Sequence, residues 1–133
     1  MPVIDLKHVN IRAPRERLLE MRDFYRDAIG LVEGARPPFQ SEGFWLYAGM
    51  QPLVHLVIGE EGNTPDATTR TTLDHIGFDS AGFEAMRASL DACGIAYIIR
   101  EVPMLGQRQI FCRDPAGNGV ELLFDYSRKQ GES

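Results

Sequence analysis

The chain has 133 residues, 44% of them hydrophobic and 25% charged, with a formal net charge of −5 at pH 7. These values fit one ordinary globular domain that can bury its own core. They exclude the basic surface expected of a nucleic-acid-binding protein, and no apolar run approaches the roughly 20 residues that span a bilayer.

Met1-Pro2-Val3-Ile4-Asp5 shows no basic region, apolar stretch or cleavage site of a secretory signal. A first strand is expected over Leu6-Lys7-His8-Val9-Asn10-Ile11. Alternation puts His8, Asn10 and Arg12 on a polar face and Val9 and Ile11 on an apolar one. Pro14 suits the first turn of a helix. Leu18, Met21, Tyr25 and Ala28 then describe one apolar helical stripe, closed by a left-handed cap at Gly30. Leu31-Val32 opens a second strand, and Gly43 to Ala48 reads as a third. A turn over Gly49-Met50-Gln51-Pro52 leads to a fourth, Leu53-Val54-His55-Leu56-Val57-Ile58.

The second half repeats this order. Residues 60–71, rich in Gly, Asn, Pro, Asp and Thr, read as a linker. Leu73-Asp74-His75-Ile76-Gly77-Phe78 is the next strand. Phe83, Met86, Leu90 and Cys93 reproduce the first helix's stripe, and Gly94 its cap. Ile95-Ala96-Tyr97 reads as a strand, as does Gln109 to Arg113. The run Asp114-Pro115-Ala116-Gly117-Asn118-Gly119 is strong turn chemistry. It feeds the last strand, Val120-Glu121-Leu122-Leu123-Phe124, and the tail from Ser127 is polar. Cys93 and Cys112 make no metal-ligand spacing. They read as free, buried thiols in a reducing, cytoplasmic setting.

His75 lies 67 positions after His8 (8 to 75), and Glu121 lies 66 after His55 (55 to 121). Each half therefore offers one imidazole near its start and one metal-competent donor near its end. A carboxylate among Val120, Leu122 and Phe124 is costly to bury unless paired, protonated or bound to a cation. Three imidazoles and one carboxylate suit a first-row divalent ion: Fe, Zn, Mn or Ni. A serine-nucleophile elbow, a P-loop and a dinucleotide fingerprint are all missing from the sequence.

These segments resemble the vicinal oxygen chelate superfamily, which includes glyoxalase I, methylmalonyl-CoA epimerase, fosfomycin-resistance enzymes, bleomycin-resistance proteins and type I extradiol dioxygenases. The resemblance runs from Leu6 to Tyr126. It is carried by the His8 and His75 strands, by Phe24-Tyr25-Arg26-Asp27-Ala28-Ile29-Gly30-Leu31, and above all by Phe111-Cys112-Arg113-Asp114-Pro115-Ala116-Gly117-Asn118-Gly119-Val120-Glu121-Leu122. It implies an α+β fold of paired βαβββ modules whose curved mixed sheets enclose a cleft. The whole chain, 1–133, would be one such domain, with module one over about 4–59 and module two over about 72–126.

The resemblance also implies that His8, His75 and Glu121 hold a metal. His55 stands where Glu or Gln is usual, as a fourth ligand or as a catalytic acid or base beside the ion. The expected partners are a small molecule and a second copy of the chain, in a homodimer whose sites are shared between subunits. Asn10, Arg12, Trp45, Tyr47, Phe111 and Arg113 are the candidate substrate-binding residues.

The reading this favours is a metal-dependent enzyme acting on a small substrate with two adjacent oxygens. Either extradiol-type ring cleavage or glyoxalase-type lyase or isomerase chemistry would fit. A fosfomycin-resistance-type thiol transferase would need a cationic bed, with Arg12, Arg108 and Arg113 as candidates. A metal-free drug-binding protein of the bleomycin-resistance type would instead use the aromatic walls of Trp45, Tyr47, Tyr97 and Phe111.

Overall fold

A computed structural model describes residues 2–59 and 64–126. Part of the expected linker and the tail from Ser127 lie outside them. β1 (Val9–Ala13) is followed by α1 (Arg15–Asp23), a π-helical turn (Phe24–Ala28), β2 (Val32–Gly34), β3 (Gly43–Ala48) and β4 (Gln51–Ile58). Then come β5 (His75–Ser80), α2 (Phe83–Ala92), β6 (Ile98–Val102), a short 3-10 turn (Pro103–Leu105), β7 (Gln107–Arg113) and β8 (Gly119–Asp125). The strand orders are β1-β4-β3-β2 and β5-β8-β7-β6. In each sheet the first and last strands of the module run parallel and the remaining pairs antiparallel. The fold is therefore the expected pair of βαβββ modules.

Period-two alternation decides which face of each sheet is covered. Ala13, Leu46, Val54 and Leu56 of the first sheet, and Ile110, Cys112, Val120, Leu122 and Phe124 of the second, point into one shared core. The stripe Leu18, Met21, Tyr25 and Ala28 is buried there too. In the π-helical turn the Ile29 N–H donates to the Phe24 carbonyl at 3.1 Å. This wider turn lets Phe24, Tyr25 and Ala28 all face inward. The two helical layers meet where the Ser89 hydroxyl donates to the carbonyls of Asp27 (3.0 Å) and Ala28 (2.9 Å).

A second lock joins the halves. The Tyr25 hydroxyl donates to Asp114 Oδ2 at 2.7 Å, and neither side chain has measurable exposure. The same carboxylate accepts from the Ala116 N–H (3.0 Å), the Asn118 N–H (2.9 Å) and Asn118 Nδ2 (2.9 Å). Burial and the Asp114 charge both push the Tyr25 phenol well above its usual range, so the hydroxyl keeps its proton. Gly117 has φ +93°, and a Cβ there would stand 2.3 Å from the Thr69 carbonyl oxygen, so the turn accepts no larger residue.

Several local expectations shift. His8 immediately precedes β1 rather than lying inside it. Pro14 is the cap: its carbonyl accepts from the Leu18 N–H at 2.9 Å, and the helix begins at Arg15. Ile95-Ala96-Tyr97 is not a strand. The Ile95 N–H closes the helix end on the Leu90 carbonyl, Ile95 and Tyr97 fold against the core, and β6 begins at Ile98. Cys93 is exposed, because it caps α2 one turn beyond the packed part of the stripe, whereas Cys112 is buried.

Two measurements follow from this packing. Tyr25→Phe should lower unfolding stability in urea by about 1.5–3 kcal/mol, the range for a buried hydrogen bond to a charged acceptor. Burial and Asp114 push the Cys112 thiol up to about 12. A thiol reagent at pH 8 should therefore titrate one group per native chain, at Cys93, and the second only after unfolding.

Candidate functional site

The polar face of each sheet lies opposite the helices. Because the helical layers meet in one core, the two polar faces of a chain open on opposite sides of it. His8 and His55 belong to one face, His75 and Glu121 to the other. Among the described residues no three His, Cys, Asp or Glu side chains come together in a way that could hold a metal ion.

The two faces nonetheless share one register. Asn10, two residues after His8, pairs with His55; Gly77, two residues after His75, pairs with Glu121. Each module thus presents a diagonal pair on adjacent parallel strands, and what the pairs do differs.

On the first sheet, His8 and His55 stack face to face, ring centroids 4.0 Å apart and planes 9° apart. Trp45, directly across from His55 on β3, stacks on its other side at 4.0 Å and 14°. The ring of His55 is hydrogen-bonded to the Pro52 carbonyl, and its buried Nε2 has no partner among the described residues. Burial first, then the neighbouring His8, lowers the His55 pKa, offset in part by the Pro52 bond. The ring is therefore neutral at pH 7. Tyr47 donates its hydroxyl to the Ala35 carbonyl. Asn10 and Arg12 are exposed on this face.

On the second sheet, His75 Nε2 meets Glu121 Oε1 at 2.9 Å, and His75 Nδ1 meets Asp74 Oδ2 at 2.8 Å. Gln109 Nε2 donates to Glu121 Oε2 at 2.9 Å. Both oxygens of this largely buried carboxylate are thus occupied. The hydrogen bond to Asp74 raises the His75 pKa most; burial opposes it, and the charges of Glu121 and Asp74 add to the rise, so the net shift is upward. Phe111 sets its ring edge-on to His75 at 5.9 Å. A cleft of about 580 Å³ starts at His75, Phe111 and Arg113 and runs past the end of the sheet to Ile95, Cys112 and Val120 on the helix side; Glu121 does not line it. That volume suits a small organic ligand.

Two arginines have other work. Arg113 donates weakly to the carbonyls of Asp74 (3.4 Å) and Gly117 (3.3 Å), bracing the loop below the cleft. Arg108 shares the helix-side face with Ile110 and Cys112. It pairs with Glu101 at 3.2 Å and lies 4.9 Å from the Phe83 ring, so it does not belong to the Glu121 face. Sequence reasoning passed over Asp74 and Gln109. Both signals were available: Asp74 adjoins His75, and Gln109 shares a strand face with Phe111, the residue paired with Glu121.

As arranged in one chain, these residues do not fit a divalent metal. The lone pairs of an imidazole lie in its ring plane, and two nearly parallel planes about 4 Å apart do not converge on one ion at bonding distances near 2 Å.

No protein-family profile matches the chain, and no curated protein matches it significantly. Solved structures do. A protein assigned to the glyoxalase family from Bacillus anthracis is 25% identical, with a TM-score of 0.71 over 92% of this chain and 96% of that one. A glyoxylase/bleomycin resistance protein/dioxygenase domain from Frankia sp. EAN1pec is 18% identical, with a TM-score of 0.73 over 92% and 98%. TnmS3, an antibiotic binding protein from Streptomyces sp. CB03234, is 19% identical, with a TM-score of 0.66 over 94% and 98%. The likeness to these structures supports placing the chain in the vicinal oxygen chelate superfamily, the group of the glyoxalases, bleomycin-resistance proteins and extradiol dioxygenases. That superfamily contains both enzymes and proteins that bind drugs without transforming them. Among the described residues, no helix is long and apolar enough to cross a membrane.

The imidazoles should titrate in opposite directions. In NMR titrations the His75 midpoint should lie above the ordinary value of about 6.5, and Asp74→Asn should lower it. The raised pKa makes the His75 contribution to stability complete below the unfolded-state value and lost as pH rises through the folded-state midpoint. The His55 midpoint should lie below about 6.5. Its contribution is lost in the other direction, as pH falls.

Proposed function

We propose that this protein binds a small molecule without a metal, in the manner of a bleomycin-resistance-type binding protein. The ligand would lie in a cleft completed by a second copy of the chain. One wall is the His8–His55–Trp45 ring stack of one subunit. The other is the Glu121 face of its partner, with His75, Phe111 and the cleft beside them. The stack is the observation that carries this reading. It joins two candidate ligand side chains and Trp45 into a column of rings whose inner faces cover one another, so that a planar group can stack only on the outer faces of His8 and Trp45. The back-to-back placement of the two polar faces supports the need for a second copy.

A second reading keeps a metal-dependent dioxygenase or glyoxalase-type lyase or isomerase. It is favoured by one feature: Asp74 orients His75 and Gln109 orients Glu121, the kind of outer hydrogen bonding that fixes metal ligands. It requires His8 to leave the stack.

Elemental analysis after anaerobic purification, combined with ligand titration, separates the two. Trp45 is the single tryptophan, so its fluorescence reports directly on the stack. The binding reading predicts that planar aromatic compounds quench Trp45 equally with and without a chelator, and that His55→Ala weakens binding at least fivefold. One first-row metal per chain, lost together with ligand binding in Glu121→Ala, would reverse the conclusion in favour of the enzyme.

A further inference from the structure

The ring stack runs across the first sheet and stops at Trp45. Beyond it the register places Gly34 of β2 opposite Trp45. Glycine offers no ring, and no side chain fits: a Cβ on Gly34 would lie 2.8 Å from the Tyr47 ring. The space over Gly34 is instead taken by the Tyr47 ring. What approaches the indole is Phe39, from the exposed loop between β2 and β3, at a centroid distance of 6.3 Å and an interplanar angle of 52°. This is not a stacked contact, and the Phe39 side is open, the residue being 54% exposed.

The same loop carries a cation. The Arg36 guanidinium lies 5.0 Å from the Phe39 ring centroid. Its Nη1 donates to the Ser41 carbonyl at 2.8 Å and its Nη2 to the Ser41 hydroxyl at 3.1 Å. These bonds tie Arg36 and Phe39 into one unit. Among the described residues, no carboxylate meets Arg36, and its buried Nε has no partner. The guanidinium is close enough to His55 for its charge to be felt there. Among the described residues, a positive charge without a counter-ion thus stands beside the end of the aromatic column.

We propose that the outer face of Trp45 is a stacking subsite for a planar aromatic anion, with Phe39 as its cover and Arg36 as the partner of its negative group. This rests on the reading of the protein as a small-molecule binder and names the ligand class. A ring inserted between Trp45 and Phe39 needs about 7–8 Å between them, two van der Waals contacts of about 3.5–4 Å each. Phe39 must therefore retreat by about 1–2 Å and turn parallel to the indole. The segment from 35 to 42 lies outside the strands, so this movement breaks no sheet hydrogen bond. A carboxylate, phenolate or sulfonate on the inserted ring would then face the guanidinium, a pairing whose strength is charge-assisted.

The test uses two anthraquinones of the same shape, the 2-carboxylate and the neutral 2-hydroxymethyl compound, titrated calorimetrically into the full-length protein. The wild type should bind the carboxylate at least tenfold more tightly. Arg36→Gln should bring the two within threefold of each other while leaving the neutral compound's affinity unchanged. Phe39→Ala should weaken both about fivefold or more. Both substitutions are on an exposed loop, and unchanged melting temperatures would confirm intact folding. Equal binding of the two compounds by the wild type overturns the anion subsite and leaves the binding reading standing. A preference that survives in Arg36→Gln, or full affinity in Phe39→Ala, does the same. If neither compound binds the wild type or quenches Trp45, the subsite and the binding reading fail together.

Discussion

The buried Asp114 carboxylate organises this molecule. A charge with no exposure is costly unless its lone pairs are filled, and four donors fill them: the Tyr25 hydroxyl, two backbone N–H groups and the Asn118 amide. Three of these bonds shape the turn that launches β8 and so set the register of Glu121. The fourth reaches across 89 positions of sequence to the π-helical turn of the first module. One group thus fixes both the position of a candidate site residue and the way the two halves are joined. Joined through their helical layers, the sheets stand back to back, and each polar face looks outward.

From that constraint comes the division of labour between the faces. The register that pairs Asn10 with His55 is reproduced where Gly77 pairs with Glu121, so the backbone frame is duplicated. The side chains on it have diverged. The first sheet carries flat rings in van der Waals contact, with a neutral His55 at their centre. The second carries an imidazole whose positive form is favoured between two carboxylates. A ligand held between them would meet a column of rings on one side and a polar, charge-bearing surface on the other.

Much of this was legible in the sequence, because the strongest signals were local and periodic. The stripe from Leu18 to Ala28 marks a helical segment, although its last turn is π-helical, and the glycines at 30 and 94 and the Asp-Pro turn each specify one backbone geometry. Gly30 and Gly94 do adopt positive φ, at 94° and 70°. The repeat located the diagonal pairs before any strand was seen. What escaped was the outcome of long-range packing. That His8 would lie flat on His55 depends on Trp45 standing in register across β3, which no local pattern encodes. That Arg108 would turn toward Phe83 rather than toward the cleft depends on strand phase, and one residue reverses it. Gln109, by contrast, was readable from alternation once Glu121 was chosen.

The central claim is that two copies complete the site, His8 of one facing His75 of the other. Crosslinking tests it most directly. Chains carrying His8→Cys and chains carrying His75→Cys, each with Cys93→Ser, are treated with a short bismaleimide, separately and after mixing and subunit exchange. Two-fold symmetry puts like positions in different sites, so neither variant alone should crosslink and the mixture should yield a covalent dimer of the two variants. A mixture that stays monomeric, or a doubly substituted chain that crosslinks within itself, would contradict the account.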